Sequence, residues 1–276
     1  MNILITGAKG ILGSALIKAI QPKHKVSAFD IEDFDITDYE KSLDIIKSSK
    51  PDIVIHCAAY TNVDGCESNK DTALKINSGG TKNIALICKE LDIPMVYFST
   101  DYVFDGEKGS SYFESDTPNP LSIYGKSKFA GEEHVKQTLN KYFIVRTAWL
   151  FGKGGKNFVN TIINLAEEKD ELSVVNDQTG SPTYAEDLAY AVSQLIETDH
   201  YGIYHITNEG ECSWYEFAKA ILEEAGLKNT KVLPVPTTKF PRPAKRPKYS
   251  VLSKDLYKSK FKPLRTYKEA LSAYLK

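Results

Sequence analysis

Cysteine is scarce in this chain: Cys57, Cys66, Cys88 and Cys212 are the only four among 276 residues. None stands at a CxxC or zinc-finger spacing, which argues against a disulfide scaffold or structural zinc and fits a reducing compartment. Surplus charge is missing too. With 35 basic and 36 acidic residues the net charge is -1, so no global field draws the chain to nucleic acid or to a membrane surface. No apolar run approaches the length of a membrane span. The run Asn2–Thr6 after Met1 is too short for the apolar core of a secretory signal, and the expected address is the cytoplasm. Internal repeats and low-complexity stretches are absent. What remains, at 42% hydrophobic and 26% charged residues, is an ordinary globular composition, long enough for one large domain or a domain with an appendage.

Short β-branched runs alternate with longer amphipathic stretches. The pattern predicts strands over Asn2–Thr6, Lys25–Phe29, Asp52–His56, Pro94–Ser99, Tyr142–Arg146 and Leu172–Val175. Helices are predicted over Ile11–Ile20, Tyr39–Ser49, Thr72–Leu91 and Leu121–Thr138. Such alternation implies right-handed βαβ units and a parallel sheet with helices on both faces. Beyond about Leu150 the alternation loosens; Gly152 to Gly155 reads as a loop, and helices follow near Tyr184–Glu197, Trp214–Ala225 and Thr266–Leu275. The expected fold is therefore α/β: a doubly wound, Rossmann-type sheet over residues 1–150, then mainly a smaller substrate-binding lobe over 151–276. Some elements of that second part are expected to return to the sheet.

Gly7-Ala8-Lys9-Gly10-Ile11-Leu12-Gly13 joins the first strand to the first helix. Glycines at that junction permit a tight turn, a close approach of diphosphate to backbone, and tight packing of helix on strand. The helix N-terminus then faces the phosphates. Asp30 ends the second strand, where a carboxylate holds the adenosine ribose hydroxyls. A 2′-phosphate would meet that carboxylate and the acidic Ile31-Glu32-Asp33 that follows, so NADH is favoured over NADPH. The strand-to-helix setting, with Asp30 in position, carries the dinucleotide reading; three spaced glycines alone would be weak evidence.

Tyr124 and Lys128 stand four residues apart, on one helix face. A carbonyl reduced by hydride needs a proton donor at its oxygen, and an ordinary phenol, with a pKa near 10, is a poor one unless an ammonium lies close. With 16 tyrosines and a lysine-rich composition, the same spacing recurs by chance at Tyr215/Lys219. That second pair lies in an amphipathic helix whose aromatics suit a core. What separates Tyr124 is Ser99-Thr100-Asp101 upstream, just beyond the fourth strand, at the strand ends where ligands of such sheets sit. Thr100 there is placed to bond the substrate oxygen. His56 and His205, on apolar strands, read as core residues.

These segments, together with Cys57–Asp64, Ser99–Phe104, Arg146–Trp149, Asn176–Gln178 and Pro241–Pro247, resemble the dTDP-4-dehydrorhamnose reductase family of extended short-chain dehydrogenases, essentially end to end. The resemblance implies a catalytic set of Thr100, Tyr124 and Lys128. It implies a cofactor, NADH or NADPH, bordered by Gly7, Gly10, Ile11, Leu12, Gly13, Asp30, Asp35, Ile36, Ala58, Ala59, Thr61 and Phe98. It places Thr100, Asp101 and Trp149 against a nucleotide-linked deoxysugar whose C4 keto group is reduced. Some family members link a dimer through magnesium held by a glutamate soon after the third glycine. Here Ser14-Ala15 follow Gly13, so no metal is expected, and a monomer or weak dimer is.

Five prolines between Pro234 and Pro247 are interleaved with Lys239, Arg242, Lys245, Arg246 and Lys248. PxxP recognition, nucleic-acid binding or a solvated linker would each explain that composition. Guanidinium forks on a stiff segment also match phosphate oxygens, and the dinucleotide turn favours Arg242 and Arg246 as a clamp for the nucleotide-sugar diphosphate. Two rival functions share the motifs. One is an epimerase or dehydratase that regenerates its bound NAD; the other is a non-catalytic NAD(P)-binding regulatory subunit.

Overall fold

Alternate residues of each central strand enter opposite cores, and that alternation builds the molecule. The computed structural model describes residues 1–276. β1 (Asn2–Thr6), α1 (Ile11–Ile20), β2 (Lys25–Phe29), α2 (Tyr39–Ser49) and β3 (Ile53–His56) open the chain. Short helices α3 (Val63–Ser68) and α4 (Lys70–Leu74), a π-helical turn (Lys75–Gly80) and α5 (Thr81–Glu90) lead into β4 (Met95–Thr100). Then come α6 (Ile123–Thr138), β5 (Tyr142–Thr147), β6 (Leu150–Phe151), α7 (Phe158–Glu168) and β7 (Glu171–Val175). β8 (Thr179–Gly180), β9 (Thr183–Tyr184), α8 (Ala185–Leu195) and β10 (Gly202–His205) follow. β11 (Cys212–Ser213), α9 (Trp214–Glu224), β12 (Lys231–Val235), α10 (Asp255–Lys258) and α11 (Tyr267–Leu275) end it.

The main sheet has six parallel strands in the order β10-β5-β4-β3-β1-β2. Ile3, Ile5, Ile55, Val96 and Phe98 point to one face, beneath α1 and α8. Leu4, Val54, Met95, Tyr97 and Ile144 point to the other, beneath α2 and α5. A sheet covered on both faces explains why these strands are apolar almost throughout. A separate cluster around Phe151, Phe217, Ile221 and Leu271 forms the smaller C-terminal layer. No helix is long and apolar enough to cross a membrane.

One predicted strand lies elsewhere than expected, one strand of the main sheet was not predicted, and one predicted helix is broken. The run Leu172–Val175 does form a strand, β7, but it pairs with β12 in the lobe. The sixth strand of the main sheet is β10, a Gly-Ile-Tyr-His stretch beside β5 that carries little strand signal. The helix expected over Thr72–Leu91 is broken by the π-helical turn, in which Asn77 is fully buried. Its side chain bonds Tyr60 N–H (2.7 Å), the Tyr60 carbonyl (3.0 Å) and Ser127 Oγ (3.0 Å). One residue thus ties the loop after β3 to α6.

α6 is tied to the sheet as well. Arg146 of β5 gives Glu132 of α6 a two-pronged, buried pair at 2.9 and 2.7 Å. His56 and His205 are buried and held neutral, pushed down to about 3 by burial above all. His56 bonds Thr6 and Thr81, and His205 bonds the Tyr112 carbonyl. All four cysteines are free, and burial pushes their thiols up.

Candidate active site

The carboxyl ends of β1 to β5 open into one cavity of about 620 Å³. Its floor is the turn after β1. Gly7 has φ +67° and a Cβ there would lie 2.6 Å from the Ala58 nitrogen, while a Cβ on Gly13 would strike the Gly7 carbonyl and Ala8. Gly10 is the N-cap of α1 and provides no side-chain cap, so the first N–H groups of the helix are left for an anion. Asp30, at the end of β2, is held by the N–H groups of Lys9 and Ile31, both at 2.8 Å. Each oxygen keeps a lone pair for a ribose hydroxyl.

Sixteen residues expected in a site converge here. Gly7, Gly10, Ile11, Leu12, Gly13, Asp30, Asp35, Ile36, Ala58, Ala59, Thr61 and Phe98 line the cavity, with Thr100, Tyr124, Lys128 and Trp149 on its other side. Asp101, Arg242 and Arg246 are not on that wall. Others border it to which the sequence assigned no site role: Tyr60, Ser99 and Thr147, inside segments that carry the family resemblance, and Lys156, outside them. Ser99 Oγ and Thr147 Oγ1 are buried with no hydrogen-bond partner. A buried hydroxyl left unpaired is costly, and a ligand rich in hydroxyl and amide groups fits this lining. In the sequence both stood in segments that carry the resemblance, as polar residues at the end of an otherwise apolar strand, but with no role attached.

The electrostatics of the Thr100, Tyr124 and Lys128 wall depart from the simple expectation. Burial pushes the Tyr124 phenol up, the Asp101 carboxylate adds to that, and the Thr100 hydroxyl opposes it. Burial therefore outweighs the lowering that the Lys128 spacing led one to expect. The Lys128 ammonium lies 4.2 Å over the Tyr97 ring; burial pulls it down to about 7, against the upward pull of Glu132. Thr100 donates to Asp101 Oδ1 (3.0 Å) and accepts from Tyr102 N–H (3.2 Å). Ser250 binds the other Asp101 oxygen at 2.5 Å. Burial pushes the Asp101 carboxyl up to about 6, with the Ser250 and Thr100 bonds opposing.

Trp149 sits at φ +46°, a backbone region unfavourable for a bulky side chain. It is stacked flat on Trp214 at 3.4 Å and backed by Gly180, where a Cβ would come within 2.6 Å of the indole. Arg242 and Arg246 converge on Asp64 instead of the cavity, at 3.6 and 3.3 Å, and the Ala244 N–H points at the same carboxylate. Arg246 Nε is buried and unpaired.

A doubly wound sheet, a glycine-lined turn open to diphosphate and a Thr/Tyr/Lys wall define a nicotinamide-dependent oxidoreductase of the extended short-chain dehydrogenase class. The family model described as the RmlD substrate binding domain matches residues 1–276. A dTDP-4-dehydrorhamnose reductase from Clostridium acetobutylicum superposes with a TM-score of 0.97 at 47% identity, covering 100% of this chain and 98% of that one. A dTDP-4-dehydrorhamnose reductase from Bacillus anthracis, in complex with NADP, gives 0.96 at 45% identity, covering 99% and 98%. The spore coat polysaccharide biosynthesis protein SpsK of Bacillus subtilis is 44% identical over 276 residues, 99% of this chain and 96% of its own length. The chain belongs to the dTDP-4-dehydrorhamnose reductase (RmlD) family.

Proposed function

We propose that this protein reduces the C4 keto group of dTDP-4-dehydro-L-rhamnose, giving dTDP-L-rhamnose. The observation that carries the reading is the convergence of Thr100, Tyr124 and Lys128 on a cavity floored by the glycine turn. The reduced nicotinamide supplies the hydride when bound. Tyr124 gives its phenolic proton to the carbonyl oxygen as the arriving hydride turns it into an alkoxide. Lys128 holds the nicotinamide ribose and, as an ammonium, favours the phenolate left behind. Thr100 bonds the sugar oxygen, and Trp149 covers the deoxysugar, its face set by Trp214. Gly7, Gly10 and Gly13 with the start of α1 hold the cofactor diphosphate. Asp30 holds the adenosine ribose and favours NADH, with NADPH still usable. Residues 1–150 carry the cofactor, and 151–276 mainly shape the substrate side. Arg242 and Arg246 bind the nucleotide-sugar diphosphate after leaving Asp64.

The protein works as a monomer or weak dimer in the cytoplasm, without a metal, since Ser14-Ala15 replace the expected ligand. Incubation with dTDP-4-dehydro-L-rhamnose and reduced cofactor, in chelator, tests the whole reading. Stoichiometric oxidation of cofactor with dTDP-L-rhamnose as product is expected. Conversion without net cofactor oxidation would favour the epimerase or dehydratase alternative, and no conversion the regulatory one. Light scattering reports the mass, and strict dependence on added magnesium would remove the metal-free reading.

A further inference from the structure

The dinucleotide and the nucleotide sugar each bring a diphosphate, yet the charged side chains around the cavity are Asp30, Asp35, Lys128 and Lys156. Lys128 is buried on the catalytic wall, and Arg242 and Arg246 are engaged by Asp64 outside the cavity. Lys156 is thus the one solvent-exposed cation on the cavity wall. The segment that carries it is built to lie across the phosphate-binding turn. A Cβ on Gly152 or on Gly155 would come within 2.8 Å of the Ile11 side chain, and Gly154, at φ +88°, runs past Ser14. Only glycine allows a strap so close to the first turn of α1.

The strap is also pinned. Asn157, 8% exposed, donates to the carbonyls of Gly152 (2.9 Å) and Gly155 (3.4 Å) and accepts from Asn160 N–H, capping α7. Tyr274 of α11 reinforces it, its hydroxyl reaching the Gly152 carbonyl at 3.3 Å. Lys156 therefore follows, on a fixed base, a glycine that packs on Ile11, the first residue of α1, and it lines the same cavity as the uncapped start of that helix, whose first turn holds no acidic residue. Free helix N–H groups on one side and an ammonium on the other are complementary to a diphosphate between them. Lys153, on the same strap, lies outside the cavity and acts on Glu186 instead.

We propose that Lys156 is a diphosphate-binding residue of the dinucleotide site, closing over the phosphates from the side opposite the glycine turn. The inference rests on the reading that the cavity takes a nicotinamide dinucleotide. It is tested by binding alone, with NADH, ADP-ribose (diphosphate without nicotinamide), reduced nicotinamide mononucleotide (no diphosphate) and dTDP as probes. Lys156→Ala should raise Kd for NADH and ADP-ribose roughly tenfold, the worth of one charge-assisted bond, and flatten their salt dependence. Reduced mononucleotide and dTDP should stay within about twofold, as should every probe with Lys153→Ala, and Lys156→Arg should restore tight binding. An unchanged Kd for ADP-ribose in Lys156→Ala overturns the inference. So does a loss confined to dTDP, which would give the lysine to the sugar nucleotide. Failure of the wild type to bind NADH or ADP-ribose at all would instead remove the dinucleotide reading beneath it.

Discussion

Two helices of this protein carry the same Tyr-x-x-x-Lys spacing, and they stand in different halves of the molecule. α6 begins beside the carboxyl ends of β4 and β5, and it turns Tyr124 and Lys128 into the cavity. α9 starts in the lobe, where Tyr215 packs against the lobe core and Lys219 lies exposed, 5.5 Å over its own helix's Tyr215 ring. Spacing aligns the two side chains in both places, but only topology supplies α6 with a cofactor site and a neighbouring Thr100. The division runs through the whole cavity: every residue that lines it lies between Thr6 and Lys156. The lobe acts on it from behind, through Trp214 against Trp149, Ser250 against Asp101 and Tyr274 beneath the strap.

The strongest way to break that contrast is to remove one oxygen from each helix. Tyr124→Phe should lower turnover by about 10² or more, the usual worth of a positioned general acid, with little change in melting temperature. Tyr215→Phe should leave turnover within about twofold. Equal losses in both variants would show that the chemistry is not confined to α6. The same wall sets a pH dependence. Burial holds the Lys128 ammonium down to about 7, so in the free enzyme it loses its charge as pH rises through that value. The profile of kcat/KM should accordingly fall on the alkaline side from about pH 7. A flat profile from pH 6 to 9 would separate the reaction from the charge on Lys128.

A second, smaller effect concerns the lobe's own contribution. Arg246 pairs with Asp64 at 3.3 Å while its Nε is buried without a partner, an arrangement with donor capacity to spare. Arg246→Ala should raise KM for the nucleotide sugar roughly tenfold to a hundredfold, the range for a bond to a charged group, and leave the Kd of NADH alone. If NADH binding weakens equally, the Pro/Arg segment serves the shared architecture and not the substrate.

The unequal legibility of the two halves has a physical cause. Strands β1 to β5 and the turn after β1 are local patterns: β-branched runs, glycines at fixed offsets, an acid at a strand end. β10 and β7 are not. Gly202–His205 takes the edge of the main sheet beside β5, and Leu172–Val175 pairs with β12 in the lobe, a choice of partner that no local pattern encodes. Thr147 and Ser99 look like any strand-end hydroxyls until their lack of partners is seen. Lys156 hides in a segment that reads as a glycine loop, since what matters is the Ile11 side chain it crosses. Asp64 gave no signal at all that two arginines some 180 positions later, Arg242 and Arg246, would settle on it.

The smallest expected effect tests the cofactor end, where the half that reads clearly makes its finest claim. NADPH carries an extra phosphate on its adenosine ribose, which on the proposed reading would meet Asp30. Asp30 is fixed there by two backbone N–H bonds, so it cannot swing away without losing them. Lys9, whose backbone N–H holds Asp30, is paired through its ammonium with Glu32 at 3.1 Å, with both side chains largely exposed. Such a pair is worth little and dissolves easily, which leaves Lys9 free to meet a phosphate in part. At several ångströms and an intermediate dielectric the like-charge penalty is about 1–2 kcal/mol, or roughly ten- to thirtyfold. NADH should therefore lead in kcat/KM by about that factor while NADPH remains usable. Asp30→Ala should shrink the gap mainly by improving NADPH, and Lys9→Ala should widen it. A wild-type preference for NADPH would mean that Lys9, released from Glu32, outweighs the carboxylate, and Lys9→Ala would then reverse the preference.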